Sequence, residues 1–201
     1  MSGGLIVILT GGVSRRMGQP KALLPLYPGA GINFLQRIES LTEGLGAQRV
    51  VVSSLPSEQL CTQLPVVPQE RPELGQLCSL LLGWQAFGED KDWVMSFPVD
   101  HPYVRRSTVE SLVEAVKAYP RASMWCPSYR KKGGHPVVFA KSLRPKLLSS
   151  PLELGARPVV RSLGEARRWV ETEDPAVLWD ADTPELYQRF SHMFLAEERS
   201  L

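Results

Sequence analysis

Cysteine is scarce: Cys61, Cys78 and Cys126 are the only three in 201 residues, and no CxxC occurs. An odd, scattered set fits neither a disulfide framework nor a zinc ribbon. The three histidines, His101, His135 and His192, stand far apart with no HExxH between them, so zincin chemistry has no scaffold. Charge of one sign is also lacking. Lys+Arg number 23 against 21 Asp+Glu, a net +2, too little to call for a nucleic-acid or membrane partner. No apolar run approaches the roughly twenty residues of a membrane span. The opening Met-Ser-Gly-Gly has no basic side chain and Leu5–Leu9 is shorter than a signal-peptide core, so a cytoplasmic, soluble chain is expected.

Hydrophobic residues at 43% and charged residues at 22% predict a folded core, and one domain over residues 1–201 accommodates the length. Apolar runs alternate with helical patterns. Leu5–Leu9, Arg49–Ser53 and Trp93–Phe97 read as strands buried on both faces. Leu64–Val67, Arg168–Glu171 and Val177–Trp179 read as further short strands. Ala122–Pro127 and Pro136–Ala140 bracket a polar, glycine-containing turn. Helices are expected over Asn33–Leu45, with Asn33 as N-cap, and over Ser57–Gln63, Gln76–Phe87, Arg106–Tyr119 and Pro184 to about Leu195. This alternation predicts an α/β layered fold with a mainly parallel sheet. Ligands of such sheets bind beyond the carboxyl ends of the strands, where the loops starting at Thr10 and Pro98 fall.

The first of these loops, within Ile8-Leu-Thr-Gly-Gly-Val-Ser-Arg-Arg-Met-Gly-Gln-Pro-Lys21, sets Gly11, Gly12 and Gly18 among Arg15, Arg16 and Lys21. Glycines let amide N–H groups converge on phosphate oxygens, and the cations would neutralise a polyphosphate; a plain strand-to-turn connection with solvated cations reads equally well from composition. It is not a Walker A loop, and the missing GxGxxG argues against an NAD-dependent oxidoreductase. Asp100, between Pro98 and Pro102, suits a metal ligand better than a core position, because an unpaired buried carboxylate is costly; a turn or helix-cap role is the alternative. Asp180 and Asp182 lie two apart in an expected extended segment and would point the same way, so one would bind metal while the other caps the last helix. Ser79 either presents its hydroxyl to a base or ribose or packs. Cys78 and Cys126 are read as core filling.

The loop resembles the L-A-(A/G)-G-x-S-x-R-M-G-x-x-K signature of the molybdopterin nucleotidyltransferases: Leu9, Gly11, Gly12, Ser14, Arg16, Met17, Gly18 and Lys21 match in register, with Thr10 where alanine is usual. Weaker echoes follow in order. They are Gln69, Gly75, Ser79, Leu80 and Gly83 for N-x5-G-x3-S-L-x2-G, with Gln69 replacing Asn; Asp100-His-Pro102 for D-x-P; Gly134-His135-Pro136 for G-H-P; Gly155-Ala-Arg157; and Asp180-Ala-Asp182-Thr-Pro-Glu185 for D-x-D-T-P-E. The resemblance implies a Rossmann-like three-layer fold with a mainly parallel, mixed sheet and Mg²⁺-dependent transfer of a nucleoside monophosphate from CTP or GTP to molybdopterin, releasing pyrophosphate. Lys21, Arg16 and Asp100 would be catalytic. Leu9, Thr10, Gly11, Gly12, Ser14, Arg16, Gly18, Lys21, Gln69 and Ser79 would bind nucleotide, Asp100, Asp180 and Asp182 metal, and His135 with Gly134 the acceptor. The Gly-His-Pro and Ser-Leu elements favour CTP over GTP, whereas Gly11 matches the guanylyl form. Another small phosphorylated acceptor, or a non-catalytic cofactor carrier or nucleotide sensor, are the alternatives. Molybdoenzymes or their chaperones would be downstream partners.

Overall fold

The computed structural model describes residues 3–12 and 16–199. Strands β1 (Gly4–Leu9), β2 (Ala47–Ser53), β3 (Val66–Pro68) and β4 (Trp93–Pro98) are parallel, with β1 between β2 and β4 and β3 outside β2. The sheet continues through β7 (Val137–Ala140), antiparallel to β4, to β5 (Met124–Tyr129), whose far edge carries β8 (Arg167–Glu171) in parallel. A two-residue strand, β6 (Lys132–Gly133), pairs with the end of β5.

Alternation along β1 divides the core. Ile6 and Ile8 face one cluster, with α1 (Phe34–Thr42), α4 (Arg106–Ala118) and α7 (Pro184–Glu198); Leu5, Val7 and Leu9 face the other, with α3 (Gly75–Phe87), α5 (Arg144–Leu148) and α6 (Arg157–Ser162). The result is a three-layer α/β fold on a mixed, mostly parallel sheet. Helix α3 lies close to the sheet because position 83 has no side chain: a Cβ there would stand 2.6 Å from Val7 Cγ1. Asn33 closes a capping box with Gln36 at the start of α1 as expected, and a short helix, α2 (Ser57–Leu60), precedes β3. Among the described residues no helix is long and apolar enough to cross a membrane.

One local expectation is borne out and another is corrected. The polar turn expected over residues 129–134 forms, and within it the chain reverses at Arg130 and Lys131, both left-handed (φ 48° and 64°). Gly133 and Gly134 instead serve close approach, because added Cβ atoms would lie 2.5 Å from the Trp169 ring and 2.2 Å from the Val177 carbonyl oxygen. Val177–Trp179 is not a strand; Pro175–Leu178 forms a 3₁₀ turn that buries Ala176 and Val177. Asp174 caps that turn and Pro175 opens it, a combination that favours a helical start over a strand.

Asp174 also joins two parts of the fold. It is 1% exposed and accepts from Ala176 N at 3.0 Å, Arg105 N at 2.8 Å and Thr108 Oγ1 at 2.8 Å, holding the start of α4 against the segment leading to Asp180. Removing it leaves buried donors unsatisfied at about 1–3 kcal/mol each. Asp174→Ala is therefore expected to cost at least about 3 kcal/mol, which thermal unfolding would register as a fall of roughly 6–12 °C in Tm.

Candidate active site at the ends of β1 and β4

A cleft of about 380 Å³ opens where β1 and β4 end, lined by Leu9, Thr10, Gly11, Gly12, Arg16, Lys21, Ser79, Asp100 and Asp182 among others. The sheet fixes its two walls. Thr10 N donates to Val52 O at 2.9 Å and Val99 N to Leu9 O at 3.0 Å, so each loop leaves its strand at a set height. His101 N donates to Pro98 O at 3.2 Å, closing a turn that presents the Asp100 carboxylate to the cleft.

Position 11 is crowded: a Cβ there would come within 3.0 Å of Gln69 Cγ and 3.1 Å of Ser79 Oγ, so those side chains would have to give by a few tenths of an ångström. Gln69 is 3% exposed; its Nε2 donates to Ser79 Oγ at 2.9 Å and its Oε1 accepts from Arg71 N at 3.1 Å. It is a strut behind the loop rather than a lining residue. Ser79 does line the cleft, one turn into α3. The amino end of α3 reaches the cleft through Gly75 and Gln76, with no acidic residue in its first turn and no side-chain cap; the Gly75 N–H donates to Pro72 O, and the positive end of the helix dipole favours an anion. Gly18 takes a left-handed conformation (φ +68°) and shapes the turn between Arg16 and Lys21. Ser14 and Arg15 lie outside the described residues.

The acidic side is gathered from two distant segments. Oxygen atoms of Asp100, Asp180 and Asp182 lie within 4.8 Å of one another. An extended strand does not bring the latter two together. Asp182 N donates to Asp180 O at 2.9 Å while buried Ala181 donates its N–H to Asp100 O at 3.0 Å, a tight turn stitched onto the end of β4. The last helix is capped by Thr183, whose hydroxyl accepts from Leu186 N at 3.3 Å. This corrects the expectation that Asp180 or Asp182 caps it, and frees both carboxylates for the cleft.

Cations meet this cluster directly. Lys21 Nζ lies 2.9 Å from Asp100 Oδ2 and also bonds Asp182, which Arg16 bonds from the outside. Burial works against the charge of Lys21, but Asp100 and Asp182 outweigh it and hold its pKa above the ordinary value. Burial likewise pushes Asp100 up, and the His101 ring and Lys21 ammonium reverse the direction, leaving it below the usual carboxylate range. Asp180 is pushed up to about 6, by desolvation first and then by the carboxylates of Asp100 and Asp182. Hard oxygen donors converging in this way suit Mg²⁺, so the residues present fit the metal that the resemblance implies.

A second basin of about 630 Å³ adjoins the cleft and shares Gly75 and Gln76 with it. Leu77, Leu80, Val137 and Phe139 give it an apolar floor, His135 contributes one wall, and Arg157 and Arg161 stand one turn apart on α6 at its edge. Desolvation and the adjacent His101 hold His135 down to about 3, so its imidazole is neutral; the two rings lie 4.8 Å apart. Gly134 lines neither space. It is buried against the Val177 backbone, between Gly133 and His135, which do border the basin. Gln76 and Arg161 were not singled out by sequence reasoning. Only their spacing from Gly75 and from Arg157 could have marked them.

The likeness to solved structures agrees with this geometry. Rv0371c from Mycobacterium tuberculosis H37Rv superposes with a TM-score of 0.79 at 22% identity, covering 95% of this chain and 98% of that one; a structure of it complexed with manganese gives 0.76 at 20% identity, over 96% and 99%. "A nucleotidyl transferase from Methanothermobacter thermautotroptrophicus" gives 0.78 at 20% identity, over 98% and 100%. The fold is that of the nucleotidyltransferases. Residues 6–169 match the model of the MobA-like NTP transferase domain, and the chain belongs to that family. A curated relative, the molybdenum cofactor guanylyltransferase of Rhodobacter capsulatus, is 31% identical over 58% of this chain and 60% of its own length. Its namesake from Xanthomonas euvesicatoria pv. vesicatoria is 35% identical over 53% and 52%. The chain thus spans about half the length of the curated relatives it matches.

The cap assignment is open to direct measurement. Thr183→Ala is expected to cost about 1 kcal/mol, a Tm loss of roughly 2–4 °C. Asp182→Ala, which would also remove a cap, should lose less than half as much. The reverse order in thermal unfolding would return the cap to Asp182.

Proposed function

We infer that the chain transfers a nucleoside monophosphate from an NTP, CTP or GTP, to a small phosphorylated acceptor, molybdopterin, with release of pyrophosphate. One observation carries the reading: at the ends of β1 and β4 one cleft brings together a glycine loop, the amino end of α3, and the carboxylates of Asp100 and Asp182 with Lys21 and Arg16 bonded to them, and Asp180 converges on the same two carboxylates. Cations and amides alone would suit any anion, and carboxylates alone would repel one. Together they suit a polyphosphate accompanied by a divalent cation.

In the reaction an acceptor phosphate oxygen attacks the α-phosphorus, a new P–O bond forms, and the bond from that phosphorus to the β-phosphate bridge oxygen breaks. The electron pair leaves on pyrophosphate, so no general base is needed for an already ionised acceptor. Asp100 with Asp180 and Asp182 would hold Mg²⁺, which when bound neutralises phosphate charge and aligns the reacting oxygens. Gly11 and Gly12 bring the loop backbone close to the triphosphate. Lys21 and Arg16 offset charge that builds on the leaving pyrophosphate, and Ser79 faces the ribose or base. The apolar basin takes the acceptor's ring system, with Arg157 and Arg161 available to its phosphate. The manganese complex of Rv0371c supports the metal requirement.

Two observations bear on the base. The Gly75–Gly83 segment on which the CTP reading rests does line the cleft, through Gly75 and Ser79, whereas the Gly-His-Pro turn borders only the acceptor basin. The curated relatives, named guanylyltransferases, support GTP. Calorimetric titration with the four NTPs is expected to show CTP or GTP as the tightest ligand and ATP well behind; tightest binding of ATP or UTP would overturn this assignment. For the reaction itself, pyrophosphate release with Mg²⁺ and molybdopterin tests the proposal. Failure of every NTP to yield pyrophosphate with any acceptor refutes the enzyme, and release only with a different phosphorylated acceptor refutes molybdopterin. Lys21→Ala should lower kcat/KM by about 30- to 1,000-fold, the equivalent of roughly 2–4 kcal/mol in transition-state stabilisation, while circular dichroism stays unchanged.

A further inference from the structure

Where a divalent cation would sit, the nucleotide-free protein already has a cation of its own. Lys21 Nζ bonds both Asp100 and Asp182, the two carboxylates nearest the cleft, and only 12% of its side chain is exposed. Arg16 adds a second positive charge on Asp182 from the solvent side, with 69% of its side chain exposed. Three carboxylates therefore stand beside two cations, and an incoming metal ion meets a cluster with one net negative charge instead of three. The ammonium and a divalent ion also compete for the same oxygen atoms. Lys21 has an alternative partner: it lines the cleft with Gly11 and Gly12, where the proposed triphosphate would lie.

We propose that Lys21 is the resident counter-ion of the Asp100–Asp182 pair and keeps a divalent cation weakly bound until the phosphates of a nucleotide take over its ammonium. The inference rests on the nucleotide and metal assignments above. It adds an order: metal and nucleotide enter together, and metal alone binds poorly. One lysine thus performs two tasks at different stages, neutralising carboxylates in the empty protein and phosphates in the loaded one. The device protects the carboxylate cluster from occupation by free divalent ions, because Coulomb attraction to a metal falls as each fixed positive charge is placed beside it. Arg16 has the weaker part, being solvent-screened and bonded to Asp182 alone.

The test needs neither nucleotide nor acceptor, so its failure is distinct from failure of the transferase reading. Binding of Mn²⁺ alone is followed by the loss of the free-ion electron paramagnetic resonance signal in wild type, Lys21→Gln, Lys21→Arg and Arg16→Gln. Removing the charge at Lys21 is expected to tighten Mn²⁺ binding at least tenfold. Keeping the charge, in Lys21→Arg, should leave it within threefold of wild type. Arg16→Gln should give a smaller gain than Lys21→Gln. Should Lys21→Gln fail to fold by circular dichroism, Lys21→Met serves as the neutral variant, and Arg16→Gln, on the exposed side, still must bind Mn²⁺ more tightly than wild type. Neutral variants no tighter than wild type overturn the proposal, as does a Lys21→Arg variant as tight as Lys21→Gln.

Discussion

The contact between the Lys21 ammonium and the carboxylates of Asp100 and Asp182 is the constraint around which the cleft is arranged. It joins three segments that are remote in sequence: the loop after β1, the turn after β4 and the link into α7. Its worth lies less in stability than in placement. Burying opposite charges costs about as much solvation as the attraction returns, and such pairs are weak evidence of stabilisation. What the pair requires is that each segment be held independently. The parallel β1–β4 register, the Ala181–Asp100 hydrogen bond and the three contacts of Asp174 do so.

That support explains why so much of the binding surface is backbone. Gly11 approaches the Gln69–Ser79 pair so closely that an added Cβ would crowd it, and the loop presents backbone to the cleft there. The amino end of α3 supplies further N–H groups. The same helix borders the second basin, so Gly75 and Gln76 are common to both spaces. Two ligands bound there would meet at one helix end, the proximity that lowers the entropic barrier to an in-line transfer. His101 and His135 stand behind Asp100 with their rings in contact, and desolvation lowers the pKa of both. Lys21 and Arg16 are the cations bonded directly to the carboxylate cluster.

The sequence alone settled the layered α/β class, the buried strands β1, β2 and β4, the N-cap at Asn33 and the position of the glycine loop. These depend on local periodicity and on residues with restricted roles, which the chain displays directly. It also marked Lys21, Arg16, Asp100, Asp180 and Asp182 as candidates. Tertiary structure decided how these side chains are placed relative to one another. Whether Asp182 or Thr183 caps α7 depends on a turn pinned to Asp100, 82 positions away in the numbering. Whether Gly134 faces a ligand or a neighbouring backbone depends on where the 3₁₀ turn at Pro175–Leu178 packs. Gln69 reads as a nucleotide contact by position and becomes a buried strut because Gly11 lets the loop close over it. Local preference fixes secondary structure, since it acts between near neighbours in the chain. The partner of a charge, or the approach of two backbones, is set by contacts that exist only once the sheet has brought its strand ends together.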